Sequence, residues 1–91
     1  MGTKEKISEK ILSDTDSLHE NEIILFNDDV NTFDHVIDCL ISICDHTPLQ
    51  AEQCTLIVHY KGKCSVKSGT LFDLKPRLKK LTAADLTAEI I

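Results

Sequence analysis

The chain has 91 residues, 42% of them hydrophobic and 27% charged, with a formal net charge of -5. That is enough for one small domain around a single core. The acidic balance argues against a surface that tracks phosphates, and no apolar run reaches the ~20 residues that span a bilayer. The N-terminus lacks the apolar block of a signal peptide, so a soluble cytoplasmic protein is expected, with no nucleic-acid or membrane partner. Cysteines stand at 39, 44, 54 and 64 with no CxxC spacing. They read as free, reduced thiols, and the alternative is a zinc site shared with His35, His46 or His59.

Residues 1–20 read as a flexible tail. Ile7, Ile11 and Leu12 mark a short amphipathic turn, and Ser13-Asp14-Thr15-Asp16-Ser17 breaks it. The tail is a disordered leader or an arm presented to a partner. A domain over 21–91 follows. Its first strand, 22–26, carries the apolar run Ile23-Ile24-Leu25-Phe26, which implies burial on both faces or one face plus a partly covered edge. Asn27 to Asn31 turn the chain, and Asn31 is the expected N-cap of a helix over about 32–44. Phe33, Val36, Ile37, Leu40, Ile41 and Cys44 give that helix its stripe.

Thr47, Pro48 and Gln50 are a start signal for a second helix running to about Lys61. Ala51, Cys54, Ile57 and Val58 are its expected apolar face, and Gly62 its C-cap. Cys64 to Lys67 read as a second strand and Ser68-Gly69 as a turn. Thr70 with Asp73 opens a third helix, with Leu71, Leu74, Leu78 and Leu81 at helical spacing. Pro76 implies either a kink or a start nearer Pro76. Lys75, Arg77, Lys79 and Lys80 form its solvated basic face. Alternation over Leu86 to Ile90 reads as a last strand. The order β-α-α-β-α-β predicts an α+β two-layer fold, a three-stranded antiparallel sheet covered on one face by three helices.

No serine or cysteine stands in a nucleophile motif, and the chain's three glycines form no phosphate loop. An enzyme is not expected, nor a cofactor. The chemistry that remains is binding. Asn27, Asp28 and His59 offer an amide oxygen, a carboxylate and an imidazole nitrogen, the natural hosts of a cationic amine. They converge only if the start of the first helix packs beside the end of the second. Phe33, Val36, Thr55 and Val58 would then wall an apolar pocket. Each residue also has a plain structural reading: turn formers at 27 and 28, a helix-end histidine, core side chains.

Ile24-Leu25-Phe26-Asn27-Asp28-Asp29, the helix with Phe33, Val36 and Ile37, and Val58-His59-Tyr60-Lys61-Gly62-Lys63 together resemble ClpS, the adaptor of the bacterial N-degron pathway. The resemblance covers about residues 21–91 and is specific because both motifs occur at this separation. It implies a monomeric, non-catalytic adaptor that binds the free N-terminal Leu, Phe, Tyr or Trp of a substrate polypeptide. The adaptor hands that substrate to the N-domain of an AAA+ unfoldase, ClpA or ClpC, coupled to the ClpP peptidase. It further implies that Asn27, Asp28 and His59 hold the α-amino group, that Asp29 and Tyr60 support the motif, and that Val36 and Val58 line the pocket. Lys75 matches an unfoldase contact. Asn31-Thr32-Phe33 replaces the usual Thr-Pro-Met, so Asn31 joins the pocket and Phe33 takes the place of a bulky gatekeeper. Thr55 stands where a methionine is common, Thr70 where an acidic contact is frequent, and the link from Gly62 to Val66 looks shorter than usual. The alternative is an interaction module of the same architecture without such a pocket, like the ribosomal stalk protein's C-terminal domain.

Overall fold

The structure is a computed structural model that describes residues 20–91. The tail expected before the domain lies, apart from Glu20, outside the described residues. The element order is β1 (Asn21–Phe26), α1 (Phe33–Cys44), α2 (Pro48–Lys61), β2 (Lys63–Gly69), α3 (Leu71–Ala83) and β3 (Thr87–Ile90). The sheet runs β2-β1-β3 with both pairings antiparallel. The expected α+β architecture is therefore present.

The central place of β1 explains its apolar run. Alternate side chains point to opposite faces. Ile23 and Leu25 are closed off by the helical layer at 0% and 1% exposure, while Ile24 and Phe26 are only half-buried on the other face. Leu40 and Cys44 of α1, Ala51 and Val58 of α2, Val66 of β2, Leu74 and Leu81 of α3, and Leu86 complete the core.

β2 is longer than the expected Cys64 to Lys67, and it carries a bulge. Ile23 pairs with Lys67 but Ile24 pairs with Ser65, so Val66 is the extra residue. A bulged residue loses ladder partners. The His46 Nε2–H supplies one, reaching the Val66 carbonyl at 2.6 Å. Among the described residues, His46 Nδ1 is buried without a partner.

Three local readings need correction. The N-cap of α1 is Thr32, not Asn31: the Thr32 hydroxyl accepts from the His35 backbone N–H at 3.1 Å. Asn31 is drawn away by partners described below. In α2 the buried stripe is Ala51, Thr55 and Val58, and Ile57, expected inside, is 41% exposed. The i, i+4, i+7 spacing of that stripe turns position 57 outward. In α3, Arg77 does not belong to the solvated basic face. Its guanidinium bonds Asp73 (3.2 Å), Asp45 (3.1 Å) and the Ile43 carbonyl (2.6 Å), tying the end of α1 to α3. The Asp73 hydrogen bond, with smaller help from Asp45, raises its pKa further against partial burial.

The caps of α2 match the sequence reading. Thr47 and Gln50 exchange side-chain and backbone bonds at 3.0 and 3.1 Å, Pro48 opens the helix, and Gly62 closes it at φ 94°. α3 starts at Leu71 after the Thr70 cap and runs through Pro76. The helix bond lost to proline frees the carbonyl of Phe72, a residue 91% exposed. α3 ends in a double closure: Asp85 N–H to the Thr82 carbonyl and Leu86 N–H to the Leu81 carbonyl, both 3.0 Å, with Asp85 left-handed at φ 69°.

Truncation tests the two-sided reading of β1. Leu25→Ala should cost ~2–5 kcal/mol in urea denaturation. Ile24→Ala, on the open face, should cost markedly less.

Candidate functional site

The site is built where β1 runs out. The Asn27 backbone N–H donates to the Gly62 carbonyl at 2.9 Å, joining the strand's end to the end of α2. Gly62 N–H in turn bonds the Val58 carbonyl at 2.9 Å. This places the Asn27 side chain, on the loop, close to His59, on the last turn of α2. Phe33, the first residue of α1, meets His59 edge-to-face with ring centroids 5.2 Å apart. The packing of the first helix's start beside the second helix's end, which the sequence left open, is thus present.

A cavity of about 280 Å³ lies in this corner, lined among others by Asn27, Asp28, Asp29, Phe33, Val58 and His59. Asn31, Val36 and Thr55 line it too. Of the residues singled out from the sequence, Tyr60 and Lys75 are not part of the lining. Tyr60 is 78% exposed and packs edge-to-face on His59 at 4.9 Å, so it braces the imidazole from outside. Lys75 is exposed on α3.

The polar groups divide into two kinds. Asp28 is committed to the loop: its Oδ1 accepts from the backbone N–H of Val30 and of Asn31, and its Oδ2 from Asn31 Nδ2, each at 2.9 Å. Partial burial alone would raise its pKa. The Asn31 and Val30 hydrogen bonds, with the nearby His35, outweigh that and hold the carboxyl below its ordinary value. It therefore stays ionised and can add negative potential to the cavity. Asn27 and His59 are the other kind. Both are exposed, and among the described residues neither side chain has a hydrogen-bond partner. Their acceptors are free for a ligand.

The apolar walls are firm on one side and open on the other. Val58 and Thr55 are 5% and 3% exposed, whereas Phe33 is 43% exposed at the rim. Thr55 makes the floor less polar than its hydroxyl suggests, because that hydroxyl donates to the Ala51 carbonyl at 2.7 Å. The sequence reading missed Leu25, Phe26 and Leu86 in the lining. Leu86 was legible only as a strand residue; its place in the cavity depends on the turn after α3.

A metal centre has no support here. Among the described residues no group of three or more His, Cys, Asp or Glu side chains is placed to hold an ion. The four thiols are free, and burial pushes Cys44 and Cys54 to about 11. Among the described residues no helix is long and apolar enough to cross a membrane.

The comparisons with known proteins agree with the resemblance. A family model described as ATP-dependent Clp protease adaptor protein ClpS matches residues 17–89. No curated protein is similar enough to match.

The role of Asp28 has a defined pH signature. A carboxyl whose folded pKa is depressed contributes stability above its unfolded value and loses it as pH falls through the folded value. Carboxyl-carbon NMR should show Asp28 titrating below the ordinary 3.8. Asn31→Ala should move that midpoint upward, and an unshifted midpoint would contradict the hydrogen-bonded loop.

Proposed function

The chain belongs to the ClpS family of ATP-dependent Clp protease adaptors, and from that premise we propose that it binds the free N-terminal residue of a polypeptide marked for degradation. The adaptor itself is non-catalytic. It acts in the cytoplasm, as a monomer, and passes its cargo to the N-domain of an AAA+ unfoldase of the ClpA or ClpC kind. The observation that carries this reading is one cavity that combines open acceptors with apolar walls. Asn27 and His59 accept from the α-ammonium, and the ionised Asp28 favours its charge, directly or through water. Phe33, Val36, Thr55, Val58 and Leu86 receive the side chain.

Size supports one residue as the ligand. About 280 Å³ is at the small end of ligand sites, which run from ~300 Å³ upward. It suits a single bulky side chain rather than a folded segment. The requirement for a free amine follows from hydrogen-bond accounting. An acylated N-terminus brings one N–H and no charge, leaving an acceptor unmet beside a carboxylate, at a cost of ~1–3 kcal/mol. Phe33, packed on His59, narrows the rim and disfavours branching at the β-carbon. Tyr60 supports His59, Asp29 adds to the acidic rim, and Lys75 serves the unfoldase contact. Residues 1–20 serve delivery rather than binding.

Fluorescence anisotropy with peptides that begin with Phe or Leu tests the reading. The free peptide should bind and its acetylated twin should not; equal binding sinks the proposal. Asn27→Ala and His59→Ala should each weaken binding by about tenfold or more, as loss of a hydrogen bond to a charged group implies. Their unfolding midpoints should barely move, since both side chains are exposed. Removing residues 1–20 should leave peptide affinity intact and slow degradation of a reporter by the unfoldase and protease.

A further inference from the structure

We propose that Asn31 is a positioning residue for side-chain selection, because its amide ties the turn after α3 to the Asn27–Asn31 loop and so sets the Leu86 wall of the cavity. The inference rests on the reading of the cavity as a pocket for an N-terminal residue.

The amide Nδ2 of Asn31 makes two bonds in opposite directions. One goes to Asp28 Oδ2 inside the loop and one to the Asp85 carbonyl, 54 residues away, each at 2.9 Å. A primary amide has two N–H groups, and both are used. Neither bond is needed to start α1, since Thr32 is the cap. The amide is therefore a cross-link rather than a helix signal. A second tie lies next to it: His35 Nε2 is 2.9 Å from the Ala84 carbonyl. Loop and α1 thus hold successive carbonyls of the same turn.

What the turn carries is Leu86. It is 5% exposed, belongs to the core and lines the cavity together with Phe33 and Val36. The turn's remaining bonds all point back into α3. They fix its shape; its distance from the loop is set by the Asn31 and His35 ties and, one residue on, by the pairing of Thr87 with Phe26. Asp85, left-handed and exposed, is not a position that packing alone would hold in place. Without the Asn31 amide, water takes over the Asp85 carbonyl, the His35 bond alone ties the turn to α1, and the Leu86 wall shifts away from Phe33. A wider pocket loses contact with a planar aromatic side chain and admits a β-branched one. The free-amine requirement, carried by Asn27 and His59, is unaffected.

Only a residue with two N–H donors at this reach can bridge both carbonyl and carboxylate. Aspartate has the same shape and none, and alanine has neither.

The test uses the full chain and four peptides of one sequence, with N-terminal Phe or Ile, each free and acetylated. Wild type, Asn31→Ala and Asn31→Asp are compared by anisotropy and thermal unfolding. The ratio of Phe to Ile affinity should fall by about fivefold in both variants, the worth of one hydrogen bond. Acetylated peptides should stay unbound. Asp85→Gly keeps the acceptor carbonyl and the left-handed backbone, so its ratio should match wild type. An unchanged ratio in the two Asn31 variants overturns the inference. Equal weakening of Phe and Ile peptides also overturns it, because that marks loop collapse rather than wall placement. If a variant fails to fold, amide hydrogen exchange at Ala84 to Leu86 in the other decides: exchange no faster than wild type overturns it. Wild type binding free and acetylated peptides alike overturns the pocket reading instead, and the Phe to Ile ratio then judges Asn31 separately.

Discussion

One backbone hydrogen bond organises the site: Asn27 N–H to the Gly62 carbonyl. It lies at the seam where the central strand stops and the second helix has just closed. Two features of the sequence make it possible. Gly62 takes φ 94°, which turns the chain sharply out of α2 into β2. β1 and β2 pair in a register that sets Phe26 opposite Lys63. Any slip of that register would carry Asn27 away from His59. The bulge at Val66 lies farther along the ladder and leaves the pairing next to the site regular.

From this seam the polar groups divide their labour. Asp28 does not stand open to the cavity as a bare charge. It spends its lone pairs on three donors of its own loop, and this keeps it ionised although partly buried. What it gives the cavity is therefore field and loop rigidity. Asn27 and His59 are exposed, and among the described residues nothing engages their acceptors. The cavity is thus rigid at its carboxylate and open at its two exposed side chains.

Much of the fold was legible because local signals and tertiary needs agreed. Thr47-Pro48-Gln50 and Gly62 set the ends of α2 from sequence alone. The agreement failed where a distant partner outbid a local preference. Asn31 and Thr32 are both good caps, and the Asn31 amide goes instead to the Asp28 carboxylate and the distant Asp85 carbonyl, leaving the cap to Thr32. Arg77 reads as one more basic surface residue until Asp45 and the Ile43 carbonyl are brought beside it. The motif residues were visible by type, but their convergence was not, since it depends on strand register and helix packing. Leu86 was hidden for the same reason. Alternation shows that a strand residue is buried, not which cavity it borders.

The two halves of the site also stand differently toward folding. Asn27 and His59 are exposed, so their side chains contribute little to the core. Val58, Thr55 and Leu86 are at most 5% exposed and belong to both the cavity and the packed interior. Changing them alters stability and the shape of the cavity together, because a truncated wall leaves an unfilled space. Phe33 is the exception among the apolar residues. At 43% exposure it touches His59 but holds little of the core, so it can vary at small cost to the fold. In this architecture the rim is the part of the cavity that can change at least cost to packing, while the deep wall is bound to the core.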